Sequence, residues 1–344
     1  MGTVCIGALL LSFAADFDTA FKAGLAALNQ NDLAGAQTQL ESAAKLAPAR
    51  GDALLALAQV YFRQGKLDLA LQSAKRSEKV SAGDPKMRVG LAMFHEQAAQ
   101  AYAASGKLPE GAAEFQQVLR LRPEAEPSYF QLAEQQLRLE RFVPALDTLQ
   151  AGLKRFPDSA QLELGRGVAL YGLRRFPRAI DSFLRVITLA PEVEQPYRFL
   201  GRMIDVAEGK LPEVTAAFAQ FAKNQPSNPM SQFLYAKALS MGTGDPADVE
   251  KLLRKSIALD DKVWESHFEL GLALERKQAF PESAAELERA AQLRPDDPAP
   301  HYRLARVYDR LGRPTDAATQ REIHARLTSQ SKSGMELAGK ELQR

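Results

Sequence analysis

Apolar residues recur at helical spacing along nearly the whole chain, in stretches of about a dozen residues separated by short polar turns. Between positions 126 and 159, for example, Tyr129, Leu132 and Ala133 line one face of a first stretch, and Ala145, Leu149 and Gly152 line a second. No run alternates apolar and polar residues as a strand would. The punctuation agrees with paired helices. Gly65, Gly106 and Gly209 are placed to end first helices, and Pro109, Pro177, Pro212 and Pro281 fall in the first turn of second helices, where a missing N–H is harmless. Pro48, Pro123, Pro157, Pro191, Pro226 and Pro295 follow the second helices, which proline cannot continue.

The paired pattern repeats. Units begin at Phe17, Gly51, Ala92, Glu126, Ala160, Glu194, Pro229, Trp264 and Pro298, at intervals of 34 or 35 residues except for one of 41. The eighth residue of every unit is small: Gly24, Ala58, Ala99, Ala133, Gly167, Gly201, Ala236, Gly271 and Ala305. Twelve residues later comes a second position, mostly small: Ala36, Ala70, Gly111, Ala145, Ala179, Val214, Val249, Ser283 and Ala317. Small residues at both places let two antiparallel helices approach closely. The seven extra residues before the third unit, around Gly83 to Leu91, equal two helical turns, so they keep its first helix in phase and either lengthen it into a lip over the groove or are merely tolerated.

A small eighth residue, an apolar seventh, a small twentieth, an aliphatic or aromatic twenty-fourth and a closing proline together resemble the tetratricopeptide repeat. The resemblance spans residues 17–331 in nine units. It departs from the pattern where His95, Glu163, Gln232, His267 and His301 replace the aromatic fourth residue and Arg166 an apolar seventh. It implies an all-α, right-handed superhelical solenoid in which first helices line a concave groove and second helices face outward. In the last unit Arg321 and His324 stand where earlier units carry apolar residues, as expected of a face with no successor. The polar tail, residues 332–344, either covers that face or stays disordered.

Residues 1–15 differ in composition. The apolar run Val4 to Phe13 is too short to span a bilayer and is followed by a small-residue site around Ala14, which reads as a secretory signal and places the chain in the periplasm or outside the cell. No Lys or Arg precedes the run, so either the true start lies upstream or the segment is an apolar helix capping the fold of a cytoplasmic protein. Cys5 has no apolar run before it and does not resemble a lipid-attachment cysteine.

Charge and chemistry narrow the function classes. A net charge of +2 gives no basic excess of the kind that binds phosphate backbones, so nucleic acid is not expected as a partner. His95, His267 and His301 occupy the same position of separate units and so do not converge on a metal. The Gly-Lys-Leu triplets at Gly65, Gly106 and Gly209 lack the Ser or Thr of a phosphate loop. No nucleophile stands beside a base, and the expectation is a non-enzymatic chain without cofactor or metal.

If the first helices face the groove, as the resemblance implies, their fifth, ninth and twelfth residues point into it. These are largely apolar through the fifth unit, including Phe130, Leu137, Leu164, Val168 and Tyr171, with Glu134 among them. The sixth and seventh units differ, placing Arg198, Arg202 and Lys237 there. One reading seats a partner peptide on the apolar wall with an acidic group on the arginines. In the other, Arg198 and Arg202 pair internally with Glu194 or Asp205. The chaperone-tail subtype of the family is disfavoured, because Phe21 and Leu25 stand where it needs Lys and Asn. The sequence is thus read as a scaffold that binds another protein, with the alternative of an accessory subunit in a larger enzyme or secretion complex.

Overall fold

A computed structural model describes the backbone of residues 3–341 and the side chains of residues 16–330 other than Glu208. Every regular element among the described residues is helical. The candidate signal segment with Cys5, and the polar tail, lie outside the residues whose side chains are described. The chain forms two compact units, residues 1–175 and 176–344.

The first unit holds α1 (Thr3–Asn29), α2 (Leu33–Leu46), α3 (Gly51–Arg63), α4 (Leu67–Val80), α5 (Pro85–Ala104), α6 (Leu108–Leu121), α7 (Glu126–Arg138), α8 (Phe142–Arg155) and α9 (Ala160–Gly172). Each helix packs on the next, and α3 also touches α5 as α7 touches α9, so first helices lie side by side. The small positions are what allow this. A Cβ on Gly24 would stand 2.6 Å from the Leu40 side chain, and Ala36 and Leu40 are wholly buried beneath it. Turns between paired helices need one left-handed residue, supplied by Gly65 (φ +73°) and Gly106 (φ +76°) and, with some strain, by Asn31 and Glu140. The insertion lengthens α5 to 20 residues, capped by Asp84. Its added turns bury Leu91 while leaving Val89 and Met93 exposed, one helical turn apart.

The second unit holds α10 (Phe176–Leu189), α11 (Gln195–Met203), α12 (Leu211–Asn224), α13 (Pro229–Met241), α14 (Pro246–Leu259), α15 (Trp264–Arg276), α16 (Phe280–Leu293), α17 (Pro298–Arg310) and α18 (Pro314–Glu341). Here α11 touches α13, α13 touches α15 and α15 touches α17. Gly209 does not end a first helix as the sequence suggests. Helix α11 stops at Met203, two 3-10 turns (Ile204–Val206 and Glu208–Lys210) follow, and Gly209 lies within the second without a positive φ. Met203, Ile204 and Ala207 are buried, which draws this segment into the core and replaces the simple glycine turn. The core beside it is aromatic, with Phe183 stacked on Phe199 at 4.7 Å and Tyr197 on Phe221 at 4.1 Å.

The unusual fourth-position residues are structural ties. Tyr129 and Tyr197 donate their hydroxyls to the carbonyl six residues back, that of Pro123 at 3.1 Å and Pro191 at 3.0 Å. His267 reaches the corresponding carbonyl of Asp261 through Nε2 at 3.0 Å, and its Nδ1 meets the Glu286 carboxylate at 2.6 Å. His95 meets Glu114 at 2.6 Å and His301 meets Gln320 at 2.7 Å, in each case nineteen residues along the same helix pair. At the last pair, Arg321 is engaged by Asp309 and His324 lies 3.1 Å from the carbonyl oxygen of Pro298.

Tyr308, buried on α17, donates its hydroxyl to Glu288 at 2.6 Å, and burial with that carboxylate pushes the phenol up to about 12. A phenol that holds its proton longer when folded contributes stability that is complete below pH 10 and is lost as pH rises towards 12. We expect absorbance titration at 295 nm to show a late tyrosine step that Tyr308→Phe removes. A titration unchanged by that substitution would refute the assignment.

Candidate functional site

In the first unit, Phe130 and Leu137 lie on α7 and Leu164, Val168 and Tyr171 on α9, all half-buried. Helices α7 and α9 are in contact, so these residues belong to neighbouring first helices, with the exposed Glu134 among them.

In the second unit, Arg198, Arg202 and Lys237 line one cavity of about 340 Å³ between α11, α13 and α15. Close approach of α11 and α13 at Gly201 helps to form it, since a Cβ there would stand 2.4 Å from Leu234. Leu234 is buried, as is Phe233, and the half-buried Trp264 and Phe268 of α15 supply an aromatic wall. Arg198 makes a loose exposed pair with Glu194 at 3.4 Å, which such geometry renders worth little. Arg202 is only near the Phe199 ring, at 5.9 Å, and neither it nor Lys237 has an ion pair within 4.0 Å among the described residues. Internal pairing therefore accounts for Arg198 alone.

Two carboxylates, Glu265 and Glu269, share this cavity with the cations. Burial pushes the Glu269 carboxyl up from its ordinary range; Lys237 and Arg276 oppose the shift and Asp205 reinforces it. Glu269 has no hydrogen bond or ion pair among the described residues. Sequence reasoning missed Glu269 and the aromatic wall. Phe233 and Phe268 hold the same fifth position that marked Phe130 and Leu164, so continuing that reading would have found them, whereas Glu269, at a sixth position, gave no such signal.

A larger polar cavity of about 510 Å³ lies where α15 and α17 end. Part of its charge is satisfied: Arg306 lies 3.8 Å from Glu275, which Arg303 also approaches at 3.7 Å, and Asp309 holds Arg321. Among the described residues, no three of His, Cys, Asp and Glu stand close enough to hold a metal.

The repeat geometry has a counterpart in sequence: the tetratricopeptide repeat model matches residues 21–85, 130–194 and 240–298, more than half of the chain. The chain belongs to the tetratricopeptide repeat family. Repeats of this family bind proteins or peptides, and the chain is an interaction scaffold of that class. No curated protein matches it in sequence. Among solved structures it is similar to yeast Tom70, at 15% identity over 96% of this chain and 90% of that one with a TM-score of 0.45. It is similar also to a tetratricopeptide repeat protein from Parabacteroides merdae, at 14% identity over 85% of this chain and 99% of that one, TM-score 0.38. MamA from Desulfovibrio magneticus RS-1 shares 21% identity over 52% of this chain and 96% of that one, TM-score 0.37. No described helix of this tetratricopeptide repeat protein is long and apolar enough to cross a membrane.

Proposed function

We propose that the tetratricopeptide repeat chain is a non-enzymatic scaffold that binds a partner protein or peptide on the faces formed by its first helices. The observation that carries this reading is the cavity of the second unit, where Arg202 and Lys237 form no ion pair among the described residues and stand beside a partly buried aromatic wall. Cations held beside apolar surface without a close ion pair suit an acidic group on a bound chain. The apolar residues Phe130, Leu137, Leu164, Val168 and Tyr171 offer a second contact surface in the first unit. Nucleic acid does not suit a chain of net charge +2. We read residues 1–15 as an export signal; finding intact Met1 or Gly2 on the mature protein would remove that reading.

The test is affinity capture from the native source with the wild type and with the double variant Arg198→Glu, Arg202→Glu, both checked by circular dichroism. The variant is expected to lose a partner that the wild type retains, with binding weakened at least about tenfold, as follows from about 1.4 kcal/mol. Identical captured sets would reject the basic patch.

A further inference from the structure

The cavity of the second unit holds charges of both signs, and they are segregated by helix. Arg198 and Arg202 belong to α11 at one side, Glu265 and Glu269 to α15 at the other, and α13, which carries Lys237, lies between, touching both. Apolar side chains, Phe233 of α13 and Trp264 and Phe268 of α15, occupy the same space. A site meant only for acidic ligands would not carry a desolvated carboxylate in its wall, because an approaching anion would be repelled by it. Lys237 and Arg276 act on Glu269 only from beyond ion-pair distance, so its half-buried carboxyl keeps part of the cost of leaving water. A cationic group on the ligand would relieve that cost.

We infer that the cavity takes a bulky apolar side chain of a bound peptide flanked by an acidic residue, set against Arg198 and Arg202, and by a basic residue, set against Glu265 and Glu269. This rests on the reading of the first-helix face as the binding surface and specifies what that face selects. At about 340 Å³ the cavity is near the lower end for ligand pockets, so it holds one side chain, not a folded segment. Packed helices stand about 8–10 Å apart, so the axes of α11 and α15 lie about 16–20 Å from one another. An extended peptide covers that distance in about five or six residues, which sets the spacing between acid and base.

Trp264 is the sole tryptophan of the chain and lines the cavity, so its emission reports occupancy directly. The full-length protein is titrated with four blocked peptides of equal length: acid–Phe–base, acid–Phe–acid, base–Phe–base, and acid–Ser–base. The first is expected to bind at least about tenfold more tightly than each of the others, the factor given by one favourable charge or apolar contact. Glu269→Gln should abolish its advantage over the all-acidic peptide, and Arg198→Gln with Arg202→Gln its advantage over the all-basic one. Equal binding of the acidic and mixed peptides by the wild type would overturn the inference while leaving the first-helix face as a cationic binding surface. Failure of all four peptides to bind would overturn it too, and the capture experiment then judges the broader reading independently.

Discussion

Leu287→Ala should destabilise the second unit by about 2–5 kcal/mol, the range for emptying the site of a buried leucine. Leu287 is wholly buried, and its Cγ lies 2.6 Å from where a Cβ on Gly271 would stand. The same closeness governs the converse change. Gly271→Ala gains about 1 kcal/mol of helix propensity, yet drives a methyl into Leu287, and a net cost of about 1–3 kcal/mol is expected from overpacking. When both changes are made, the obstructing atom is gone and the new methyl partly fills the space. The pair should therefore cost at least about 1 kcal/mol less than the sum of the singles. Denaturant unfolding followed by circular dichroism and by Trp264 emission measures all three, the latter reporting from α15 itself. Strict additivity would show that the small eighth residue and the leucine sixteen positions later do not share a contact.

A comparable loss, about 2–4 kcal/mol, is expected for His267→Ala, since it removes two hydrogen bonds, one of them to a carboxylate. The ring is buried, and deleting it strands the Asp261 carbonyl and leaves the partly buried Glu286 carboxylate without its 2.6 Å partner. Two controls separate these contributions. His267→Tyr installs the hydroxyl that Tyr129 and Tyr197 use at the same repeat position, so it should recover the carbonyl bond and only part of the stability. Glu286→Gln keeps an acceptor within reach and should cost least. Equal losses for His267→Ala and His267→Tyr, with no loss for Glu286→Gln, would show that ring shape at this site matters and hydrogen bonding does not.

These two sites also show which features were legible in the sequence. The small eighth and twentieth positions could be read directly because one packing requirement recurs in each pair, so glycine or alanine is imposed again and again at a fixed interval. The length of α5 followed from the same phase argument, as two whole turns preserve the buried face of Leu91 and Phe94. Gly209 misled because a glycine after a first helix suggests a left-handed turn, whereas burial of Met203, Ile204 and Ala207 redirects the chain. The histidines were recognised as structural, but their partners lie nineteen residues away on a second helix, so the bonds themselves were not readable.

The candidate site divides in the same manner. Arg198, Arg202 and Lys237 share repeat positions that face one way, and the structure brings those three to one cavity. Glu269 is ordinary in sequence, one acid on a charged helix. It acquires meaning from Lys237 on the preceding first helix and from the aromatic residues that exclude water around it. Such meaning is set by neighbours thirty or more residues distant and by desolvation, neither of which a local pattern encodes.

The most direct measurement of where partners bind is site-specific photo-cross-linking in native extract. A photoreactive residue is placed at Lys237, in the cavity on α13, and in a separate protein at Leu259, exposed at the end of the second helix α14. A first-helix binding face predicts a discrete cross-linked product from position 237 and none from 259. A product from 259 alone, or the same product from both, would contradict it.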